Sequence, residues 1–395
     1  MPSAQGRGAT DATLPRGCVS APSGFQGVGD RSWAVLPQRR SVERALSAPS
    51  KLFLCGEYAV LWGGAARVLA VGPRAEALVR AREDRTVELL TSEGRLLGIS
   101  TPLGVRWDGE VTPGVHFAAR ALDVTYRAHG RESLGLSLAL APSRLGPGGS
   151  KLGTGSSART AVLAVEAAAG VLGVKSALPL ALVAHAEAQL GKGSGADVVA
   201  SSVGGLVRYR RWAVEQVLSK DRPLLVALKD VGPVDVVRTG LSPDFLSYAF
   251  AGQSAATPGM IAEAERTLDQ KARAAFVAES DVLGDAFEDA LRGESFAAVR
   301  EACEALQQLL ASLGKVVTPA LERILALARS AASTGKVSGA GGGDGCLLLS
   351  PDAQAQTRLL ETLQARGIHA EALALEPGVR IEPRPDPALS AWLAA

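Results

Sequence analysis

Gly153-Thr-Gly-Ser-Ser-Ala158 runs without a break into Arg159-Thr-Ala-Val-Leu-Ala-Val-Glu-Ala-Ala-Ala169. The second half predicts an Ala-rich helix from Ser156, closed by Gly170 as a C-terminal glycine cap. The glycines ahead of it let the backbone turn its N–H groups toward a ligand without Cβ obstruction. The helix start adds unsatisfied donors and about half a positive charge. Together they make a cradle for an anion. The first turn carries Arg159 and no acid, the wrong sign for a bare helix N-terminus by roughly 0.3–1 kcal/mol, and a bound polyphosphate reverses that penalty.

The same string fits the G-x-G-x-x-A dinucleotide fingerprint, and some glycine turns bind nothing. A dinucleotide turn leaves its strand at once, with an acidic residue closing a second strand about 20 residues on. Here the connector Ala141 to Ser150, with two Pro and three Gly, separates the alternating strand Leu134–Leu140 from the cradle, and no such acid follows. The dinucleotide reading is disfavoured, and a purely structural turn remains the alternative. The chain has no G-x-x-x-x-G-K-[ST] and no H-R-D or D-F-G set, which excludes P-loop and protein-kinase mechanisms.

Two more glycine-rich segments flank this one. A helix over roughly 178–190 ends in Gly191-Lys-Gly-Ser-Gly-Ala-Asp197, setting one carboxylate among glycines beside Lys192 and Ser194. A carboxylate near a lysine stays ionised and can orient a hydroxyl nucleophile or take its proton, although an Asp after a glycine turn also serves as a plain helix cap. Ser338 to Gly345 holds five glycines in eight positions before the apolar run Cys346–Leu349. Such a loop is entropically costly, about 0.5–1 kcal/mol per glycine, and is explained by a close backbone approach or by a tight helix-to-strand connection.

Elsewhere, apolar runs predict strands at 51–61, 67–71, 86–90, 206–212 and 224–228, and helices over 115–128, 257–313 and 319–332. The pattern restarts near residue 215, so the chain reads as α+β with a first domain over 47–217 and a second over 218–395. Residues 1–46, with six Arg against Asp11, Asp30 and Glu43, read as a disordered extension; a transit peptide is the less favoured alternative.

The 395 residues carry 42 Lys plus Arg against 40 Asp plus Glu. With so little net charge, no broad field points to nucleic acid or membrane, and any anion must be held locally. No apolar run reaches the length of a membrane span. Cysteines at 18, 55, 303 and 346 are too far apart for a Cys-x-x-Cys site and read as reduced thiols. His185, on an apolar helix face, reads as a satisfied, partly buried histidine.

Three segments carry a resemblance: Ala48-Pro-Ser-Lys51 through Gly56-Glu-Tyr-Ala-Val60, then Gly153–Ala158, then Lys336-Val-Ser-Gly-Ala-Gly-Gly-Gly-Asp344. In order and spacing they resemble the first, second and third motifs of the GHMP kinases, over about residues 47–395. Within that family, Gly193-Ser-Gly-Ala-Asp-Val198, the tyrosine in Gly56-Glu-Tyr58 and Asp344 are similar to the wording of the phosphomevalonate kinase branch, with mevalonate kinases next.

The resemblance implies a two-domain α+β fold, with an N-terminal domain like domain 2 of ribosomal protein S5 and a ferredoxin-like C-terminal domain. It implies ATP and Mg²⁺ as cofactors and phosphomevalonate or a similar alcohol as the small-molecule partner. It is compatible with a homodimer and a cytoplasmic location. Asp197 would be the base or orienting carboxylate, and Lys51 would polarise the nucleophile and the moving phosphoryl group. Gly153, Thr154, Gly155, Ser156, Ser157 and Ala158 would wrap the phosphates, with Ser157 and Glu187 as metal ligands. Lys192, Ser194, Gly195, Tyr58, Gly339, Ala340 and Gly341 would hold the substrate. Lys151, Arg208, Arg210 and Arg211 are further cations for a substrate phosphate. Ser50, where the family has glycine, and Thr154, where it has leucine, depart from the pattern. A catalytically silent relative would be free to lose Lys51, Ser157 and Asp197, and this chain keeps all three.

Overall fold

The computed structural model describes residues 43–142, 152–175, 177–218, 223–253, 257–293 and 295–394. The N-terminal extension expected over 1–46 lies almost wholly outside these, as do Cys18, Lys151 and most of the 141–150 connector. The described residues form one compact unit.

A nine-stranded sheet is built from β1 (Glu43–Cys55), β2 (Ala65–Ala81), β3 (Thr86–Thr91), β4 (Gly94–Thr101), β5 (Gly104–Trp107), β6 (Leu136–Leu140), β7 (Leu206–Arg210) and β8 (Val236–Arg238), with one strand from the C-terminal end of the chain. β2 is long enough to be shared. Along one edge it pairs with β1, and on its other edge its first residues pair with β7 and its last with β6. The single pair β3–β6 is parallel.

A four-stranded antiparallel sheet contains β9 (Leu246–Phe250), β10 (Thr334–Ser338), β11 (Gly345–Leu349) and β12 (Ala370–Leu373), in the order β10-β11-β9-β12. The chain then returns to the first sheet, where β13 (Arg380–Glu382) pairs with β1.

The helices are α1 (His116–His129), α2 (Ser156–Leu172), α3 (Ala177–Ala188), α4 (Ala196–Val203), α5 (Val214–Leu218), α6 (Leu224–Val231), α7 (Thr257–Thr267), α8 (Gln270–Arg292), α9 (Phe296–Ala311), α10 (Pro319–Ser330), α11 (Ala353–Gln364) and α12 (Pro387–Ala394). Helices α1 to α4 pack together against the first sheet over one core that includes Val68, Val79, Leu122, Ala161 and Val198. This explains why β1 and β2 read as nearly continuous apolar runs: both faces are covered. Phe53 points to that helical layer, while Leu52 and Leu54 point the other way, into a core shared with Leu246, Phe287, Cys303 and Leu347. The same alternation turns Lys51 to the side of Phe53.

Three expectations change. Leu224–Leu228 is helix: Pro223 suits a helix start, and only Ala227 and Leu228 are buried, one face of a turn rather than alternate residues. Helix α2 runs past Gly170 and is closed by Gly173, in the left-handed conformation with its N–H on the Ala169 carbonyl. The 338–345 segment joins two strands, β10 and β11, not a helix to a strand. Residues beyond 218 also stay with the first sheet for a time: α6 packs on its core, β8 extends it, and β13 and α12 return to it.

Candidate active site

The glycines of the cradle have physical reasons beyond the turn. Gly153 and Gly155 hold φ of +71° and +84°, a left-handed backbone that favours glycine. A Cβ on Gly153 would meet the Asp344 carboxyl carbon at 2.4 Å. One on Gly155 would meet Lys51 Cγ at 3.0 Å and Asp197 Cβ at 3.7 Å. The turn is therefore enclosed from three sides by side chains of the other two motifs and of the 191–197 segment. Gly155 is the N-cap of α2, no acid lies in that helix's first turn, and its first N–H groups stand free of intrahelical partners.

Lys51 is drawn to this turn by two bonds. Its backbone N–H donates to the Thr154 carbonyl at 3.1 Å and its Nζ to the Gly153 carbonyl at 3.0 Å. Its ammonium also sits over the Phe53 ring, 5.2 Å from the centroid. Asp197 lies in the first turn of α4, whose N-cap is Gly195. One of its oxygens accepts from the Val198 N–H at 3.0 Å, and its side chain is one-fifth exposed. The plain helix-start role is thus partly real, and the same carboxylate still faces the cavity.

His185, buried on α3, sits between these groups. Its Nε2 is 3.3 Å from Ser157 Oγ and 3.8 Å from Asp197 Oδ2, with its ring against Phe117. It therefore stands within hydrogen-bond distance of the cradle's hydroxyl and beside the carboxylate, where sequence reasoning made it a bystander. The signal available was Gln189, four residues on: the two polar side chains share one helical face, and both line the cavity. Glu187, two residues from His185, points about 200° away around the helix. Its carboxylate is held by Arg127 and, at 3.6 Å, by Arg120. It does not accompany Ser157, and its expected role as metal ligand is withdrawn.

These groups line one cavity of about 570 Å³. Its other wall comes from the 338–345 segment, which is fastened to the first motif. Tyr58 OH donates to the Ala340 carbonyl at 2.5 Å, Ser338 Oγ accepts from the Phe53 N–H at 2.8 Å, and Lys336 Nζ donates to Glu57 with both side chains buried. Tyr248 OH adds a 2.6 Å bond to the Leu152 carbonyl just ahead of the cradle. Burial raises the Tyr58 hydroxyl well above the usual phenol range, with the Glu57 charge adding to it, so Tyr58 acts here as a donor and not as a base.

Residues 283–369 match the family profile described as GHMP kinases C terminal. Along nearly the whole described chain, a phosphomevalonate kinase from a Streptomyces species is 28% identical, covering 80% of this chain and 92% of its own. A mevalonate kinase from Thermococcus gammatolerans is 23% identical, covering 85% and 97%. The structure of Streptococcus pneumoniae phosphomevalonate kinase in complex with phosphomevalonate and AMPPNP superimposes with a TM-score of 0.69 at 21% identity, covering 83% of this chain and 99% of that one. The chain has the GHMP kinase fold, and its residues 283–369 carry that family's C-terminal domain.

The residues expected at the site separate into three groups. Lys51, Tyr58, Gly153, Thr154, Gly155, Ser156, Ser157, Ser194, Asp197, Gly339 and Ala340 line the cavity. Gly195 and Lys192 line instead a small adjoining cavity beside Tyr209 and Trp212, and Lys192 is exposed. Ala158 is buried in the helical core, and Gly341 packs on the backbone of Val316, where a Cβ would be 2.3 Å from the carbonyl oxygen. The strand arginines are engaged elsewhere: Arg210 with Asp281 and the Gly63 carbonyl, Arg208 with Asp285, Arg211 with Glu215. None of the three lines the cavity.

Mg²⁺ takes oxygen ligands, commonly one or two carboxylates with substrate phosphates and water rather than an all-protein cage. No cluster of three His, Cys, Asp or Glu suited to a metal occurs among the described residues. Ser157 Oγ and the Asp197 carboxylate supply oxygens on one wall beside the cradle, a donor set that fits Mg²⁺ held jointly with phosphates.

Proposed function

We propose that this chain is a GHMP kinase that phosphorylates 5-phosphomevalonate to 5-diphosphomevalonate with ATP, in isoprenoid precursor synthesis. The observation that carries the phosphotransfer reading is the meeting of Lys51 and Asp197 against Gly155, at the start of α2. Phosphoryl transfer asks the protein chiefly for positioning and for charge compensation on the migrating group. The backbone of 153–157 supplies N–H donors and the positive end of α2 to the phosphates. Lys51, anchored on the Gly153 carbonyl, holds its cation beside them. Asp197 orients the substrate's own phosphate, taking its proton where it carries one, as an oxygen of that phosphate bonds to the terminal phosphorus of ATP and the bond to the bridging oxygen breaks to release ADP. Mg²⁺, held by Ser157 and Asp197, would neutralise charge on the phosphates.

The naming of the Streptomyces relative and of the pneumococcal structure supports phosphomevalonate as substrate, together with Asp344 in the third motif. One observation favours a second reading, mevalonate kinase. A substrate already carrying a phosphate brings further negative charge to the transfer site and asks for added cations beside it, yet Lys192 and the strand arginines expected there do not line the main cavity. ADP-release assays with mevalonate and 5-phosphomevalonate side by side decide between them. Faster turnover of mevalonate overturns the phosphomevalonate reading, and no ADP from either overturns both. Asp197→Asn is expected to lower kcat by about 10²–10⁴-fold in a folded protein. Unchanged turnover removes Asp197 from the chemistry.

A further inference from the structure

Arg159 is 3% exposed, and it lies in the first turn of α2 against the cavity. Its Nη1 donates to Ser50 Oγ at 2.7 Å and to the Pro73 carbonyl at 3.0 Å. Its Nε is buried without a hydrogen-bond partner, and no carboxylate among the described residues forms an ion pair with it. Arg67 shows the contrast: equally buried, it is held by both Glu288 and Asp285. Burial alone draws the Arg159 guanidinium down to about 10, so it stays charged at neutral pH.

A buried cation without an anionic partner is costly, and its location makes it worse. The N-terminus of α2 is itself positive, and Lys51 lies on the other side of the same turn. Three positive sources thus converge on the 153–157 cradle, against two carboxylates, Asp344 on the Gly153 side and Asp197 on the Gly155 side. Ser50 has its explanation here as well: its hydroxyl accepts from Arg159 and donates to the Pro73 carbonyl at 2.8 Å. The two residues form a polar seat beneath the loop.

We infer that Arg159 is a positioning residue for a polyphosphate ligand: its fixed buried charge, seated on Ser50, strengthens the cradle's hold on the phosphates in proportion to their number. The inference rests on the cradle being the phosphate end of the site, as proposed above. It goes further in assigning the compensating charge to a residue beneath the loop, and in predicting that the ligand-free protein bears an electrostatic penalty that the phosphates relieve.

The test is calorimetric titration of the full chain and of R159Q with adenosine, AMP, ADP, ATP and inorganic tripolyphosphate at low ionic strength. R159Q is expected to leave adenosine binding unchanged and to weaken ATP and tripolyphosphate on the order of tenfold, with ADP and AMP graded between. Its ligand-free melting temperature should equal or exceed that of the parent. S50A, which keeps the charge and removes the seat's hydroxyl, should bind tripolyphosphate within about twofold of the parent. A loss in R159Q that is the same for every ligand, or no loss, overturns the inference. So does a loss in S50A as large as in R159Q, or the failure of both R159Q and R159M to fold, since each makes Arg159 a structural tie. If the parent binds tripolyphosphate in an Arg159-dependent way but no adenine nucleotide, the ATP reading falls and the inference stands. If the parent binds neither, both fall.

Discussion

Substituting Gly155 by alanine separates the architecture of the cradle from its chemistry. At φ +84° an added Cβ is strained, costing roughly 1–2 kcal/mol. The new methyl carbon would also stand 3.0 Å from Lys51 Cγ and 3.7 Å from Asp197 Cβ, so the lysine must yield by a few tenths of an ångström or the loop must retreat from it. Gly173, the C-cap of the same helix, provides the control. It has φ +66° and no heavy atom within 4 Å of an added Cβ, so Gly173→Ala suffers similar backbone strain with no neighbour to move. Urea denaturation should show both variants destabilised by about 1–2 kcal/mol. Only Gly155→Ala should lose turnover, by about tenfold to a hundredfold, the scale on which a displacement of about 1 Å at reacting groups is felt. Equal stability losses with kcat within about threefold of the parent in Gly155→Ala would refute the claim that Lys51 and Asp197 act at this turn.

Further expectations come from other contacts. Lys336→Met leaves the Glu57 carboxylate buried without its cation and should cost about 3–5 kcal/mol in urea denaturation. Adding Glu57→Gln should restore much of that, and strictly additive losses would show the pair to be uncoupled. His185→Gln should keep the fold while lowering kcat more than it raises KM, because it removes the imidazole that bonds Ser157 and stands beside Asp197. A change confined to melting temperature would return His185 to a packing role. Lys192→Ala should change KM for 5-phosphomevalonate by less than about fivefold, since the side chain is exposed and outside the main cavity. A larger rise would restore it to the substrate site. Burial holds the thiols of Cys55 and Cys303 up at about 12 and that of Cys346 higher still. Iodoacetamide at pH 8 should therefore label these three only after denaturation, and labelling of Cys303 or Cys346 in the native protein, located by peptide mapping, would show that the core around β10 and β11 opens readily.

The parts of this molecule legible in sequence were those where backbone chemistry forces the residue type. Gly153 and Gly155 stand where a left-handed turn meets neighbouring side chains, so only glycine serves, and they announce the cradle and the start of α2 together. Lys51 was legible with them because β1 must alternate: placing Leu52 and Leu54 in one core commits Lys51 and Phe53 to the opposite side. What escaped was orientation about helix axes. Glu187 and His185 are separated by a single residue, and composition cannot say which faces α4; the answer lies in Arg120 and Arg127 on α1, which claim the glutamate. Lys192 was misplaced for a similar reason, since a flexible glycine loop gives a long side chain no fixed direction. Leu224–Leu228 was misread because five consecutive apolar residues fit either period, and only the tertiary contact of Ala227 and Leu228 selects the helix.

The distribution of charge around the cavity follows from the same logic. Asp197 and Asp344 approach the cradle from opposite sides, through α4 and the β10–β11 connection, and two carboxylates beside a polyphosphate would repel it if they acted alone. Lys51 and Arg159 offset them from within the first sheet and α2, at positions fixed by hydrogen bonds to backbone carbonyls rather than by ion pairs with those acids. A cation satisfied by a carbonyl keeps its full charge for an incoming anion, whereas one paired with a carboxylate has spent most of it. Asp197 consequently faces the cavity beside the cradle. A lysine or arginine moved into direct pairing with Asp197 should weaken phosphate binding and proton acceptance together, even though the count of charges in the cavity would not change.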